Sequence, residues 1–283
     1  MLADPALHLS ADEDHAALVA ACEPGVGLCT IVGIEGSFSR RLGAQLAVLP
    51  DGTTVGSLSD GCLEAQLATD LRAQAGPRVN RYGSGSAMVD FRLPCGGGLD
   101  ILLDPAPDRT KCRETARTLE NRRPVALALP SPSPLAERRY HPRLKIVAFG
   151  EGPELDAFAR LGDAMGLHVE AHRKDDLTLG SPAPHVTLDR WTAALLLFHD
   201  HEWEAALLEQ LTSGEAFYIG AQGGENARIE RALTLAARGV DEQAIASIRS
   251  PIGLIPSCKS PTTLALSALA EIVAKYEQLR AAD

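Results

Sequence analysis

The second half of the chain restricts the fold more than any other stretch. From residue 144 onward, short apolar runs alternate with helical patterns. LKIVAF at 144–149 is followed by a helix opening at GEGPE. Further runs at 167–171, 191–198 and 216–220 are each followed by polar or helical sequence. Runs of this length and apolarity read as strands covered on both faces. Their alternation with helices predicts a parallel, doubly wound sheet of Rossmann type. Ligands of such sheets bind outside the carboxyl ends of the strands, and two motifs fall there. Gly150-Glu151-Gly152 leaves the first strand and opens a helix, which is the context of a dinucleotide loop. Leu155 stands where the third glycine of that fingerprint belongs, Glu151 would repel a pyrophosphate, and the acidic ribose partner has only Glu170 and Asp175 as candidates. HDHEWE at 199–204 leaves the third strand. Its His199, Asp200 and His201 could bind a metal or move protons; alternatively Asp200 caps the next helix and the histidines fill a crevice wall.

The first half is organised around residues 36–64, GSFSRRLGAQLAVLPDGTTVGSLSDGCLE. An apolar hairpin pattern, turning at Asp51-Gly52, separates two Gly/Ser-rich loops. A hairpin sets its outer ends side by side, so the two loops are expected to meet. One brings Ser37, Ser39, Arg40, Arg41 and Gly43. The other brings Ser57, Ser59, Gly61, Cys62 and the amides of a helix start that Asp60 can cap. Donors converging beside a helix N-terminus make an anion site. A third loop, Cys95-Gly96-Gly97-Gly98, precedes an alternating strand. Its amides could surround an anion and hold a thiolate beside it, or it could be a strand entry with a buried cysteine. Helices are expected at 12–22, with Ser10 as N-cap, at 60–74 and at 109–121. Strands are expected at 27–34, 78–82 and 124–129 and after the CGGG loop. This half is therefore an α/β domain with a mixed sheet. SPSPLAERRYHPR at 131–143 reads as a linker, with the boundary near Glu137, giving domains 1–137 and 138–283.

Composition excludes several classes of function. A chain of 283 residues with 45% hydrophobic residues supports two ordinary cores. A net charge of −10 argues against a nucleic-acid or membrane-surface partner, while a local arginine pair can still hold a small anion. No apolar run approaches the roughly 18 residues that span a bilayer. The first residues, MLADPALHLSADEDH, are acidic and lack an apolar segment, so a cytoplasmic location is expected. The six cysteines form no CxxC motif and are expected to be reduced.

These motifs together resemble the xanthine dehydrogenase accessory protein family (XdhC/CoxI). Gly36, Ser37, Arg40 and Gly43 match a GSSPRxxG pattern, and GSLSDGCLE matches GSLSGGCLE except at Asp60. Cys95, Gly96 and Gly97 match a CGG-plus-strand element. FHDH at 198–201 is similar to THDH, YIGAQGGENA at 218–227 to YIGALGSRRT, and PIGLIPS at 251–257 to PIGLDIG. The last two lose a basic pair, replaced by Glu225 and Asn226, and an acidic residue. The resemblance implies a two-domain homodimer that binds the molybdenum–pterin cofactor, shields it and passes it to the large subunit of a molybdenum hydroxylase, with a cysteine desulfurase as a further partner. It implies a maturation factor with no catalytic residues of its own. The cofactor phosphate would meet Arg40 and the glycine-loop amides, and the metal would meet Cys95. Gly150, Gly152, His199 and Asp200 would be contacts in the second domain. Two other readings stay open: an NAD(P)-dependent oxidoreductase using the Gly150/Gly152 loop, and an interaction module that docks an apoenzyme without cofactor.

Overall fold

The computed structural model describes residues 13–59, 61–86 and 96–282. The chain parts into two compact units, Met1–Pro142 and Arg143–Asp283. Each has its own cores.

In the first unit, the elements in chain order are α1 (Glu13–Ala20), β1 (Gly27–Glu35), β2 (Gln45–Val48), β3 (Thr54–Gly56), α2 (Cys62–Arg72), β4 (Arg78–Gly83), β5 (Gly98–Asp104), α3 (Arg109–Glu120), β6 (Val125–Ala128) and β7 (Glu137–Tyr140). Five strands form a sheet in the order β3-β2-β1-β5-β4, antiparallel at every pairing. Alternation along β1 sends Cys29 and Ile31 to one face and Leu28 to the other. The first face is covered by α2, whose Leu63, Leu67 and Leu71 form one stripe at four-residue spacing. The second is covered by α1, α3 and the β6–β7 hairpin. Gln45, fully buried, donates to Thr30 Oγ1 at 3.0 Å and accepts from the Tyr140 hydroxyl, so this polar group is satisfied inside the core.

Two sequence expectations change here. Val48 pairs with Thr54, so the hairpin loop runs over 49–53 and is longer than the two-residue turn that Asp51-Gly52 predicts. Leu49 N–H donates to Thr53 O, and the Thr53 amide and hydroxyl both bond Asp51 Oδ1, at 2.9 and 2.7 Å. A backbone turn, Gly52 N–H to Leu49 O at 2.9 Å, closes this loop, and the side chain of Asp51 braces it. The stretch 131–143 is not a bare linker: it contains β7, and the units part at its far end. The expected caps Ser10 and Asp60 lie outside the described residues.

The direction of the strands fixes where function can sit. β1, β3 and β4 end at one edge of the sheet, and β2 and β5 begin there. The loops at 36–44 and 57–61 and the glycines just before β5 therefore share that edge.

The second unit contains β8 (Lys145–Gly150), α4 (Gly152–Ala164), β9 (His168–Arg173), β10 (Thr192–Leu197), α5 (Glu204–Thr212), β11 (Tyr218–Ala221), α6 (Glu225–Ala237), α7 (Glu242–Ser247) and α8 (Pro261–Ala282). Its sheet is parallel, in the order β11-β10-β8-β9. Ile146, Ala148, Ala193 and Leu195 face α4 and α8, while Val147, Phe149, Ala194 and Leu196 face α5 and α6. The sheet is thus doubly wound. Gly150 is required at its centre, because a Cβ there would fall 2.5 Å from the Leu197 carbonyl oxygen. No helix among the described residues is long and apolar enough to cross a membrane.

Candidate functional site

The two loops of the first unit meet as the hairpin geometry requires. Arg40 Nε donates to the Ser57 carbonyl and a terminal guanidinium nitrogen donates to Ser57 Oγ, both at 3.1 Å. The Ser57 hydroxyl in turn donates to Ser59 O at 3.2 Å. One guanidinium therefore fastens loop 36–44 to loop 57–61 and is itself held in place. Arg41 follows it, exposed, and Ser37 is exposed in the same loop. Gly36 has φ +82°, and a Cβ there would stand 3.5 Å from Gly97 Cα. The glycines that precede β5 thus lie against the first loop. Three chain segments meet at one sheet edge.

Three of the backbone donors expected to take an anion are already bound. The carboxylate of Glu64 accepts from Leu58 N–H at 2.9 Å, Ser59 N–H at 2.5 Å and Gly61 N–H at 2.8 Å. Glu64 is 7% exposed. Burial pushes its pKa up, but the amides of Ser59, Leu58 and Gly61 outweigh that and hold the carboxyl below its ordinary value. The loop amides just ahead of α2 are thus taken by the chain's own acid and are closed to an incoming anion. Sequence reasoning missed Glu64. Its signal was an acidic residue three positions into a helix that begins after a glycine turn, which is the acidic half of a capping box.

The remaining candidates divide. Cys62 is exposed in the first turn of α2, so it does not face the core. Gly61 and Gly96 have φ of +98° and +70°, and a Cβ at either would meet nothing within 4 Å. Open space thus lies beside both. Gly43 differs: it is buried, and a Cβ there would strike Arg138 Cδ at 2.7 Å. It serves packing rather than ligand contact. Cys95 lies outside the described residues.

In the second unit, the crevice between the ends of β8 and β10 is filled with paired charge. Lys174 Nζ lies 2.6 Å from Glu151 Oε1 and 3.6 Å from Asp200 Oδ2, and sits over the Trp203 ring at 5.2 Å. One lysine therefore bridges both lips of the crevice. His199 Nε2 is 3.2 Å from Glu154 Oε2. Asp200 accepts from Glu202 N–H at 3.2 Å and so caps the turn that follows, a structural role. His201 Nδ1 lies 3.1 Å from Glu204 Oε1. Among the described residues no group of three or more His, Cys, Asp or Glu side chains could hold a metal. Gly150 and Gly152 shape the turn, but Glu151 and Glu154 occupy the start of α4 where a pyrophosphate would sit. Glu170, a candidate ribose partner, is bound by Lys145 at 3.0 Å and His168 at 3.1 Å.

Behind His201, Glu204 is 2% exposed and pairs with Arg231, whose Nε and a terminal nitrogen lie 2.8 and 3.2 Å from its oxygens. Arg231 also donates to Gln222 O at 2.8 Å and to Ser250 Oγ at 3.1 Å. The pair joins α5, α6 and the loops after β11. Nothing in its sequence spacing announced it.

Known proteins resemble the chain along most of its length. Residues 20–83 match the family model described as "XdhC and CoxI family", and residues 146–272 match one described as "XdhC Rossmann domain". The molybdenum cofactor insertion chaperone PaoD of Escherichia coli (strain K12) is 32% identical over 267 residues, spanning 88% of this chain and 82% of PaoD. A crystal structure from Bacillus halodurans, described as a xanthine dehydrogenase, superposes with a TM-score of 0.69 over 92% of this chain and 95% of that one. At 19% identity, this is a likeness of fold.

Proposed function

The chain belongs to the XdhC and CoxI family, and from that premise we propose that it is a maturation factor that carries the molybdenum–pterin cofactor as cargo and assists its insertion into the large subunit of a molybdenum hydroxylase, of the xanthine or carbon monoxide dehydrogenase type. Support comes from the relative whose name states that role, PaoD. The observation that carries the reading is Arg40, fastened between two loops at a glycine-rich sheet edge.

The residues at this edge fit such a cargo. Molybdopterin bears a phosphate and a dithiolene-bound metal. The phosphate suits the fixed guanidinium of Arg40, with Arg41 and Ser37 in the same loop, because charge-assisted bonds to a held arginine are strong and directional. The open space at Gly61 and Gly96 leaves room for a flat ring system. Cys62 supplies an exposed thiol at that edge. Cys95, next to Gly96 in the chain, is the proposed thiolate for the metal. The protein's part is to bind, orient and shield; no residue is assigned a catalytic step. A homodimeric state, a cytoplasmic location and a cysteine desulfurase partner complete the reading.

The test is to purify the protein from a cofactor-producing host and measure bound molybdenum by mass spectrometry and pterin by fluorescence. Wild-type protein is expected to retain both. Arg40→Ala and Cys95→Ser are each expected to lower retention several-fold, with Arg40→Lys in between. Full retention in both variants would remove this site; wild-type protein free of molybdenum and pterin would remove the function.

A further inference from the structure

The first unit contains a cavity that the cargo edge does not use. About 290 Å³ opens at the opposite edge of its sheet, where β1 begins and β5 ends. Leu28 and Thr30 of β1 stand opposite Asp104 and Leu102 of β5. Alternation along both strands turns these four side chains to the face that α3 and the β6–β7 hairpin cover. The start of α3 and residues 127–130 complete the wall. Leu28, Leu102 and Leu127 are buried and make much of the lining apolar.

Asp104 is the group in this lining that lacks a partner. It is 8% exposed, and its Oδ1 accepts from Ala106 N–H at 3.2 Å. Its Oδ2 has no donor among the described residues, yet it keeps contact with open space. Burial pushes the carboxyl above its ordinary value, against the Ala106 amide and the charge of Arg109. Arg109 makes no ion pair with it; its guanidinium donates to the Ala21 carbonyl at 2.8 Å. The other polar groups of the lining are taken. Thr30 Oγ1 accepts from Gln45 at 3.0 Å, and Lys111 Nζ lies 3.7 Å from Asp108 Oδ2. Burial pushes the Cys112 thiol up to about 11, so it carries no charge at neutral pH. Asp104 and Asp108 against Lys111 leave one negative charge in excess, and it rests on the half-satisfied carboxylate of Asp104.

We propose that this cavity binds a small organic cation, a primary ammonium on a short apolar body. The ammonium donates to Asp104 Oδ2 and neutralises the excess charge. The body covers Leu28, Leu102 and Leu127. Small-molecule clefts begin near roughly 300 Å³, so the size suits a short-chain amine. A charge-assisted bond is roughly twice as strong as a neutral one, which sets the amine apart from an alcohol of the same shape. A carboxylate of that shape is repelled by the charge that draws the amine. The site shares no residue with the Arg40 edge and stands or falls independently of the cargo.

Titration calorimetry of the full-length protein with pentylamine, pentanol and pentanoate, at matched ionic strength and neutral pH, tests the assignment. Pentylamine is expected to bind saturably, one per chain, and roughly tenfold or more tightly than pentanol. Pentanoate is expected to give no saturable heat. Asp104→Asn keeps an acceptor for Ala106 N–H and removes a charge that burial disfavours, so a melt like that of wild type is expected by circular dichroism. This variant is expected to bind pentylamine no better than pentanol. Asp163→Asn, at an exposed position of α4, removes the same charge outside the cavity and is expected to leave pentylamine binding as it is. The comparison of the three ligands on wild-type protein decides the matter even where Asp104→Asn does not fold. The proposal is overturned if pentylamine gives no saturable heat, if pentanol or pentanoate binds as well, if folded Asp104→Asn binds like wild type, or if Asp163→Asn loses as much.

Discussion

Glu64 governs the chemistry of the cargo edge, because it decides which donors remain for a ligand. Its carboxylate takes three backbone amides that would otherwise form an anion nest. Arg40 then becomes the principal fixed donor. Glu64 also has a signature in pH. Its folded pKa is below the ordinary value, so the unfolded chain binds that proton more tightly. The stabilisation is complete above the unfolded carboxylate range and is lost as pH falls through it to the lower folded value. Glu64→Gln is expected to cost about 1–2 kcal/mol at neutral pH, because bonds to an ionised acceptor are replaced by weaker ones. Urea unfolding at a series of pH values should show the gap from wild type closing on the acid side. A gap that stays constant into the acid would mean that shape, not charge, holds the loop.

At the scale of elements, two contacts carry most of the second unit's geometry. Gly150 lets β8 and β10 approach, and Gly150→Ala would press a Cβ to 2.5 Å from the Leu197 carbonyl. A loss of about 1–3 kcal/mol is expected from such overpacking, readable by thermal or denaturant unfolding; a neutral result would show that the strands can separate at no cost. The Glu204–Arg231 pair joins α5 to α6 and to the loop after β11. Arg231→Met alone should cost about 3–5 kcal/mol, since it strands a buried carboxylate, and adding Glu204→Leu should recover part of that loss. If the double variant is no more stable than the single one, the pair is not the unit that matters.

Elements of this kind were unevenly legible in the sequence. The central strands of the second unit, β8 and β10, were plain because burial on both faces writes a continuous apolar run, whereas edge strand β9, HVEAHR, is only partly buried. The meeting of loops 36–44 and 57–61 followed from hairpin geometry alone. β7 was hidden because its inward residues are Arg138 and Tyr140, at 7% and 1% exposure, in a stretch that looks basic and proline-rich. Arg138 is tolerated there because its guanidinium stacks 4.8 Å from the Tyr140 ring centroid and bonds the Arg139 carbonyl. The Glu204–Arg231 pair was hidden for another reason: its members are far apart in the chain and only the fold brings them together. Glu64 was legible in principle, as an acidic residue at a capping position, but Asp60 was the more obvious cap.

For the whole molecule, the arginine edge proposed for the cargo belongs to one unit only, in a chain of net charge −10. Each unit has an apolar core of its own: one on α2, with a second under α1 and α3, the other two on the faces of the parallel sheet. Cores of this size predict that each unit folds alone, because each lies within the ordinary range for a domain. Dividing the chain between Pro142 and Arg143 should therefore leave the cargo activity with the first unit. Residues 1–142 produced alone are expected to melt cooperatively by circular dichroism and to retain molybdenum and pterin. Residues 143–283 alone are expected to melt cooperatively while carrying no molybdenum. A piece that fails to fold would show that its core is incomplete by itself. Molybdenum and pterin retained by residues 143–283 instead would move the cargo off the arginine edge of the first unit.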